Sequence, residues 1–323
     1  MEDRWYTASA PGKFVILGEH AVVYGKPALV LAVDRRMTCS VRFGPRNTIN
    51  GERVDLEKQP HLKYLTRNID HCVEFLTRSR IPVGSGMGSS AALSAAAAMA
   101  LRALQSIGYE EKDIVDDAYG AELYAQGSGS PMDASACVHG KGITVNVPDT
   151  DRPLWTISRG ERTWNVSDID VPDMTFVIGN TGIKAPTGPQ VDKVRRFITK
   201  NHFAADIMDE IESTTLEGYD AIRRNNVEHL GRLMTSNHKL LSILGVSCKE
   251  LNKLVNAALP FSYGAKLTGS GGGGCMVALT DDPQKVCETI KSHGGTPYIV
   301  QTGVQGARLE NGDNEDPVVD IIP

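Results

Sequence analysis

The stretch Pro82-Val83-Gly84-Ser85-Gly86-Met87-Gly88-Ser89-Ser90-Ala91 interleaves glycine and serine and then runs into an alanine-rich segment. A triphosphate needs many hydrogen-bond donors at short range. Glycines let backbone N–H groups approach its oxygens with no Cβ in the way. A helix that starts just after them adds free N–H groups and the positive end of a macrodipole. Ala91 to Ser106 is built of strong helix formers, and Ser89 or Ser90 is the expected N-cap. A hydroxyl at such a helix start can also ligate Mg²⁺. The stretch therefore predicts an anion-binding loop, the plain alternative being a glycine-rich turn that only caps a helix.

Two better-known phosphate loops do not match. The form G-x-x-x-x-G-K-[ST] requires a lysine that is absent here. Gly84, Gly86 and Gly88 are spaced G-x-G-x-G, not G-x-G-x-x-G, and no strong strand pattern precedes them. Three further segments hold chemistry-bearing side chains. Ser9 to Gly25 contains Lys13, Glu19 and His20. Gly127-Ser128-Gly129-Ser130-Pro131-Met132-Asp133 is a second glycine-serine loop ending on a carboxylate. Lys266-Leu267-Thr268-Gly269-Ser270-Gly271-Gly272-Gly273-Gly274-Cys275 is a third.

The segment Ser9-Ala10-Pro11-Gly12-Lys13-Phe14-Val15-Ile16-Leu17-Gly18-Glu19-His20-Ala21-Val22-Val23-Tyr24-Gly25, the glycine-serine loop and the late glycine run, in this order, resemble the signature of the GHMP kinases. That family takes its name from galactokinase, homoserine kinase, mevalonate kinase and phosphomevalonate kinase. The three segments lie near the start, in the first third and near the end, so the resemblance spans nearly the whole chain. Gly-Glu-His-Ala-Val-Val-Tyr-Gly is most like the mevalonate kinase branch. Galactokinases typically follow Gly-Glu-His with Thr-Asp-Tyr, and phosphomevalonate kinases commonly carry Tyr at the place of His20.

The resemblance implies an α+β, two-domain fold (N-terminal ribosomal-protein-S5-domain-2-like, C-terminal ferredoxin-like) with the active site in the cleft between domains. It implies ATP as co-substrate, Mg²⁺ as cofactor and phosphorylation of (R)-mevalonate to 5-phosphomevalonate in isoprenoid biosynthesis. Asp133 matches the catalytic aspartate, as general base or as orienter of the hydroxyl. The residues before it, Gly-Ser-Pro-Met, differ from the usual Pro-Ser-Gly-Val/Ile. Lys13 matches the lysine that lowers the pKa of the substrate alcohol. Ser90 and Glu122 match the metal ligands, and Pro82 to Ala91 is the ATP loop. Glu19, His20 and, in the second half, Thr181 are substrate candidates beside Lys13 and Asp133, although Thr181 also reads as a turn residue. Gly269, Ser270, Gly271 and Gly272 approach the phosphates from the other domain or form a tight hairpin. Another kinase of the same family, such as a phosphomevalonate kinase, is the alternative, with Lys184, Lys193, Arg195 and Arg196 as its second phosphate site. A metabolite sensor without catalysis is the remaining one. Relatives of this kind are often dimers, so a homodimer is expected from the resemblance alone.

These residues need elements to hold them. Tyr6 to Leu17 reads as strand, turn, strand around Pro11-Gly12, and Ala28 to Val33 and Thr38 to Phe43 as two strands. Asn47 to Gln59 is a loop or short hairpin. Leu62, Leu65, Ile69, Val73 and Leu76 recur near helical spacing, which predicts a helix over His61 to Arg78. Glu110 to Gln126 is a second helix candidate and Gly142 to Val147 a strand. The polar stretch Pro148 to Pro172 marks a domain boundary, giving domains 1–170 and 171–323. Beyond it come a strand at Met174 to Ile178 and helices at Phe203 to Arg224, Val227 to Ile243 and Lys249 to Ala258. Strands flank the late glycine run, followed by a helix at Asp282 to His293 and a strand at Pro297 to Gln301.

The whole-chain properties agree. The 323 residues exceed what one core usually organises, roughly 100–200. A net charge of −5 leaves no basic excess for a nucleic-acid footprint. Anions must therefore be held by local donors. Six scattered cysteines with no C-x-x-C pair predict reduced thiols and no zinc site. The weakly polar run Ala91 to Leu101 is too short to span a bilayer. No secretory leader pattern is visible at the start, so the cytoplasm is the expected location.

Overall fold

The computed structural model describes residues 4–82, 86–127 and 129–310 of the chain. Strands β1 (Tyr6–Leu17) and β2 (Ala28–Phe43) pair antiparallel over nearly their full lengths. Each was predicted as two pieces, and each runs through as one. Pro11-Gly12 does not turn the chain. It makes a bulge in which Pro11 stands opposite Arg36 and Gly12 opposite Val33. Proline is tolerated in a sheet at such an irregularity. A Cβ on Gly12 would lie 3.0 Å from the Met87 carbonyl oxygen, so a side chain there would crowd the glycine-serine loop. The apolar run Ala28 to Val33 is buried throughout, as expected of a strand covered on both faces.

A small hairpin follows, β3 (Thr48–Ile49) and β4 (Glu52–Arg53). The helix predicted over His61 to Arg78 is only α1 (Pro60–Leu65), and its second half is strand β5 (Val73–Ser79). Val73-Glu74-Phe75 alternates buried and half-buried, and the segment pairs with Met37 to Phe43 of β2. The longer apolar spacing that suggested a helix arises where helix and strand adjoin. Then come α2 (Ser89–Leu104), α3 (Glu111–Gln126) and α4 (Met132–His139). The N-cap of α2 is Gly88, in the left-handed conformation at φ 67, in place of the predicted serine. Among the described residues no side chain caps α2, so its first N–H groups keep their capacity to bind an anion. Helix α4 was not foreseen, and it places Asp133 in its first turn.

Strand β6 (Gly142–Val145) is followed by a hairpin, β7 (Pro153–Arg159) and β8 (Arg162–Asp168), inside the stretch read as a polar boundary. The first sheet runs β4-β3-β5-β2-β6-β8-β7, with β1 on the other edge of β2. β2 shares one edge between β5 and β6, pairing with β6 through Ala28 to Leu31. Helix α2 lies across β1 and β2, with Ala91, Ala92 and Ala95 to Ala100 buried. These small side chains bring its axis, and hence its N-terminus, close to the sheet.

The second sheet is built from β9 (Thr175–Asn180), then α5 (Thr187–Lys200), α6 (Ala204–Arg223), α7 (Val227–Ile243) and α8 (Lys249–Ala258), then β10 (Gly264–Thr268), β11 (Cys275–Leu279), α9 (Pro283–Ser292) and β12 (Thr296–Gln301). Its order is β10-β11-β9-β12, all antiparallel. This is the split β-α-β arrangement of ferredoxin-like folds, and the chain as a whole is α+β. The predicted helices and strands from residue 203 onward all form, with ends shifted by one or two residues. Helix α5 was missed.

Last, β13 (Arg308–Leu309) returns to pair with β1. Arg36 fastens this return by donating to the Gln305 carbonyl at 2.7 Å and the Gly306 carbonyl at 2.8 Å. All six cysteines are free thiols, four buried and two, Cys72 and Cys248, half-buried. Among the described residues no helix is long and apolar enough to cross a membrane.

Candidate active site

Lys13 sits just past the β1 bulge, and its backbone N–H donates to the Met87 carbonyl at 3.1 Å. Its side chain is almost fully buried and lies along Gly88, where a Cβ would come within 2.7 Å of Lys13 Cε. The ammonium reaches Asp133 Oδ2 at 2.8 Å. Asp133 benefits from the N-terminal end of α4, which favours a negative charge. Its Oδ1 is buried and has no hydrogen-bond partner among the described residues. One oxygen is thus neutralised by the lysine, while the other is an acceptor in waiting. A substrate hydroxyl donating to Oδ1 would satisfy it.

Ser90 and Glu122 come together from α2 and α3. Ser90 Oγ donates to Glu122 Oε2 at 3.2 Å, and Gln126 Nε2 donates to the same oxygen at 2.7 Å. Ser94 Oγ is a longer 3.5 Å from Oε1. His61 Nε2 lies 3.1 Å from Oε1 but is out of line for a hydrogen bond. Among the described residues no group of three or more His, Cys, Asp or Glu forms a metal cage. Two neighbouring oxygen donors do fit Mg²⁺, which keeps waters and phosphate oxygens and needs only one or two protein ligands.

Of the predicted ATP loop, Pro82, Gly86, Met87, Gly88, Ser89, Ser90 and Ala91 are described, while Val83, Gly84 and Ser85 lie outside the described residues. Gly86 faces the late glycine run. A Cβ on it would lie 3.7 Å from the Thr268 carbonyl oxygen, and one on Gly269 would lie 3.9 Å from Gly86 Cα. The run itself closes the β10–β11 hairpin, with Thr268 opposite Cys275. It is therefore both a hairpin and the partner of the first loop. Gly272 N–H donates to the Val246 carbonyl at 2.7 Å, tying the hairpin to the end of α7.

Glu19 and His20 are buried at the junction of the two sheets. Glu19 Oε1 pairs with Lys266 Nζ of β10, both groups being sealed from solvent. Burial pushes Glu19 up and Lys266 down from their ordinary ranges, and each partner opposes the other's shift. Glu19 Oε2 is buried without a hydrogen-bond partner among the described residues. His20 adopts φ 63, unusual for a residue with a side chain, and its Nε2 lies 3.1 Å from the Ser270 carbonyl. Burial lowers its pKa to about 4, so it is neutral and Nε2–H is the donor. Thr268 Oγ adds a 3.0 Å bond to the Val15 carbonyl. The Gly-Glu-His string and the late glycine run are thus joined by side chains.

Thr181 Oγ donates to the Gly274 carbonyl at 2.8 Å and accepts from Ile183 N–H at 3.2 Å. It holds the base of the glycine hairpin, and no contact links it to Lys13 or Asp133 among the described residues. Sequence reasoning passed over Lys266 and His61. Lys266 had a signal, since it is a lone lysine in the apolar strand Gly264-Ala265-Lys266-Leu267. His61 had none.

The family profile described as "GHMP kinases N terminal domain" matches residues 59–141, and "GHMP kinases C terminal" matches 219–295. The mevalonate kinase of Pyrococcus furiosus is 31% identical, with 94% of this chain and 98% of that protein aligned. The chain belongs to the GHMP kinase family. Within this family, the mevalonate kinase of Methanothermobacter thermautotrophicus is 33% identical over 84% of this chain and 89% of its own length. The crystal structure of L. major mevalonate kinase in complex with R-mevalonate shares the GHMP kinase fold, with a TM-score of 0.78 at 21% identity, covering 91% of this chain and 94% of that one. Members of the family use ATP to phosphorylate small molecules.

Proposed function

We propose that this chain transfers the γ-phosphoryl group of ATP to the primary alcohol of (R)-mevalonate, giving 5-phosphomevalonate and ADP. The observation that carries the proposal is the Lys13–Asp133 pair beside Gly88, in a chain that aligns along 94% of its length with a protein named mevalonate kinase. The glycine-serine loop and the uncapped start of α2 hold the triphosphate. The late glycine run covers it from the second sheet. Mg²⁺, held by Ser90 and Glu122, would neutralise phosphate charge.

The chain's own groups then act on the acceptor. The substrate alcohol donates to Asp133 Oδ1, which fixes its oxygen in line with the γ-phosphorus. Lys13 stabilises the developing alkoxide and pairs with Asp133 Oδ2. The alcohol oxygen bonds to the phosphorus as the bond to the ADP oxygen breaks, and the alcohol proton passes to Asp133. Asp133 thus serves as orienter of the hydroxyl and as acceptor of its proton. Glu19 Oε2 is the acceptor for a further substrate hydroxyl. His20 and Thr181 shape the site through the hairpin they hold.

The same reading divides the chain at 170/171. In support, β1 to β8 lie in one sheet and β9 to β12 in the other, although β13 returns to the first. A cytoplasmic location and a homodimer belong to the proposal as well; light scattering tests the latter. The test of function is ADP release with mevalonate, phosphomevalonate, galactose and homoserine as acceptors. Turnover with mevalonate alone is expected, and turnover only with another alcohol overturns the proposal. A second-phosphate site on α5 has little support. Arg195 is paired with Asp192 at 2.6 Å, Arg196 donates to the Asp192 carbonyl, and Lys193 to the Gly245 carbonyl.

A further inference from the structure

His61, in the first turn of α1, lies beside the Glu122 carboxylate although it comes from outside the two helices that carry Ser90 and Glu122. Its Nε2 is buried and lacks a hydrogen-bond partner among the described residues, at 3.1 Å from Oε1. The two oxygens of Glu122 are held unequally. Oε2 takes a firm bond from Gln126 and one from Ser90, whereas among the described residues Oε1 has only the long contact from Ser94 and the imidazole. α1 is itself a rigid support. It packs on α2 and α3, and its Tyr64 ring lies directly against Gly120, two residues before Glu122, where any Cβ would collide with it.

We propose that His61 is a positioning residue for the Mg²⁺-nucleotide site. Its Nε2–H holds Glu122 Oε1, which leaves Oε2, the oxygen shared with Ser90, for the cation. A small rotation of the ring brings the donor into line. The arrangement is that of an outer-layer donor that orders a ligating carboxylate before the metal arrives. It requires the tautomer protonated on Nε2. The inference rests on the reading that Ser90 and Glu122 take Mg²⁺.

Calorimetric titration with ADP, with Mg²⁺ and again in chelator, tests it without any acceptor substrate. His61→Ala and His61→Phe are expected to weaken ADP binding about 10-fold in Mg²⁺ and to leave metal-free ADP binding unchanged. His61→Gln, whose amide nitrogen reaches the place of Nε2, is expected to restore most of the loss. His61→Phe keeps the ring volume should the alanine variant fail to fold. Equal weakening with and without Mg²⁺ assigns His61 to packing and overturns the proposal, as does no weakening at all. Glu122→Gln separates the two readings. If it abolishes the Mg²⁺ effect while His61→Phe keeps it, only the role of His61 fails. If Glu122→Gln keeps the Mg²⁺ effect, the metal role of Glu122 fails first.

Discussion

Lys266 on β10 and Glu19, two residues past the end of β1, form an ion pair sealed from solvent although 247 residues separate them in the chain. The pair joins the two sheets next to the Lys13–Asp133 centre. Removing one partner leaves the other charge buried alone, which costs far more than losing the pair as a whole. Lys266→Met is therefore expected to destabilise the protein by about 3–5 kcal/mol in urea unfolding. The double variant Glu19→Gln/Lys266→Met is expected to recover a large part of that. Equal losses in the single and double variants would show that the charges are not coupled.

Asp133→Asn keeps the shape of the side chain and removes both its charge and its capacity to accept a proton. Turnover is expected to fall by about 10²–10⁴-fold with ADP binding near that of the parent. Steady-state kinetics and calorimetry on one preparation decide it. A turnover close to the parent's would remove Asp133 from the mechanism.

Gly88→Ala attacks the same centre from behind. The new methyl would press on Lys13 Cε from 2.7 Å, and the position demands a left-handed backbone. The conformational penalty is about 1–2 kcal/mol. Displacing the lysine by an ångström is expected to lower kcat by about 10²-fold. A melting temperature lowered with kcat intact would mean that the contact matters for folding alone.

Acid should weaken the fold through buried neutral histidines. His20 and His238 both have pKa values lowered to about 4, chiefly by burial, against 6.5 when unfolded. His238 accepts from Leu267 N–H at 3.1 Å, next to Lys266. Below pH 6.5 the unfolded chain gains protons that the fold refuses until about pH 4, so stability present above 6.5 is lost as pH falls. Each histidine contributes a slope of up to about 1.4 kcal/mol per pH unit. His139 works the other way. Burial opposes its charge, but Glu111 and Asp168 at 3.0 Å outweigh that and raise its pKa. Its contribution is present below 6.5 and lost as pH rises through its folded value. Urea midpoints from pH 7 to 5 are expected to fall, less steeply for His238→Gln and more steeply for His139→Gln. A flat profile for the parent would contradict the burial of these rings.

Local patterns carried much of the fold. Helices α6, α7 and α8 keep an apolar stripe over many turns, and their sequence pattern places them within a residue. The glycine-serine loop leading into the alanine run foretold α2. Pattern failed where pairing overrides it. The segment Val73 to Ser79 has apolar residues that also fit a helix, yet the open edge of β2 claims it as a strand. Pro11-Gly12 reads as a turn from composition, yet pairing with Arg36 and Val33 carries the chain through as a bulge.

The sequence by itself determined the chemistry available: glycine-serine loops suited to a polyanion, a serine at a helix start, and charged side chains at Lys13, Glu19, Glu122 and Asp133. Family resemblance assigned their roles. Only the tertiary structure decided which of these groups meet and which are already engaged. It set Lys266 against Glu19, tied His20 to Ser270, and brought His61 to Glu122. The reason is physical. A loop's backbone geometry follows from neighbouring residues, whereas an ion pair between strands of two sheets depends on how the sheets close, and no local spacing records that.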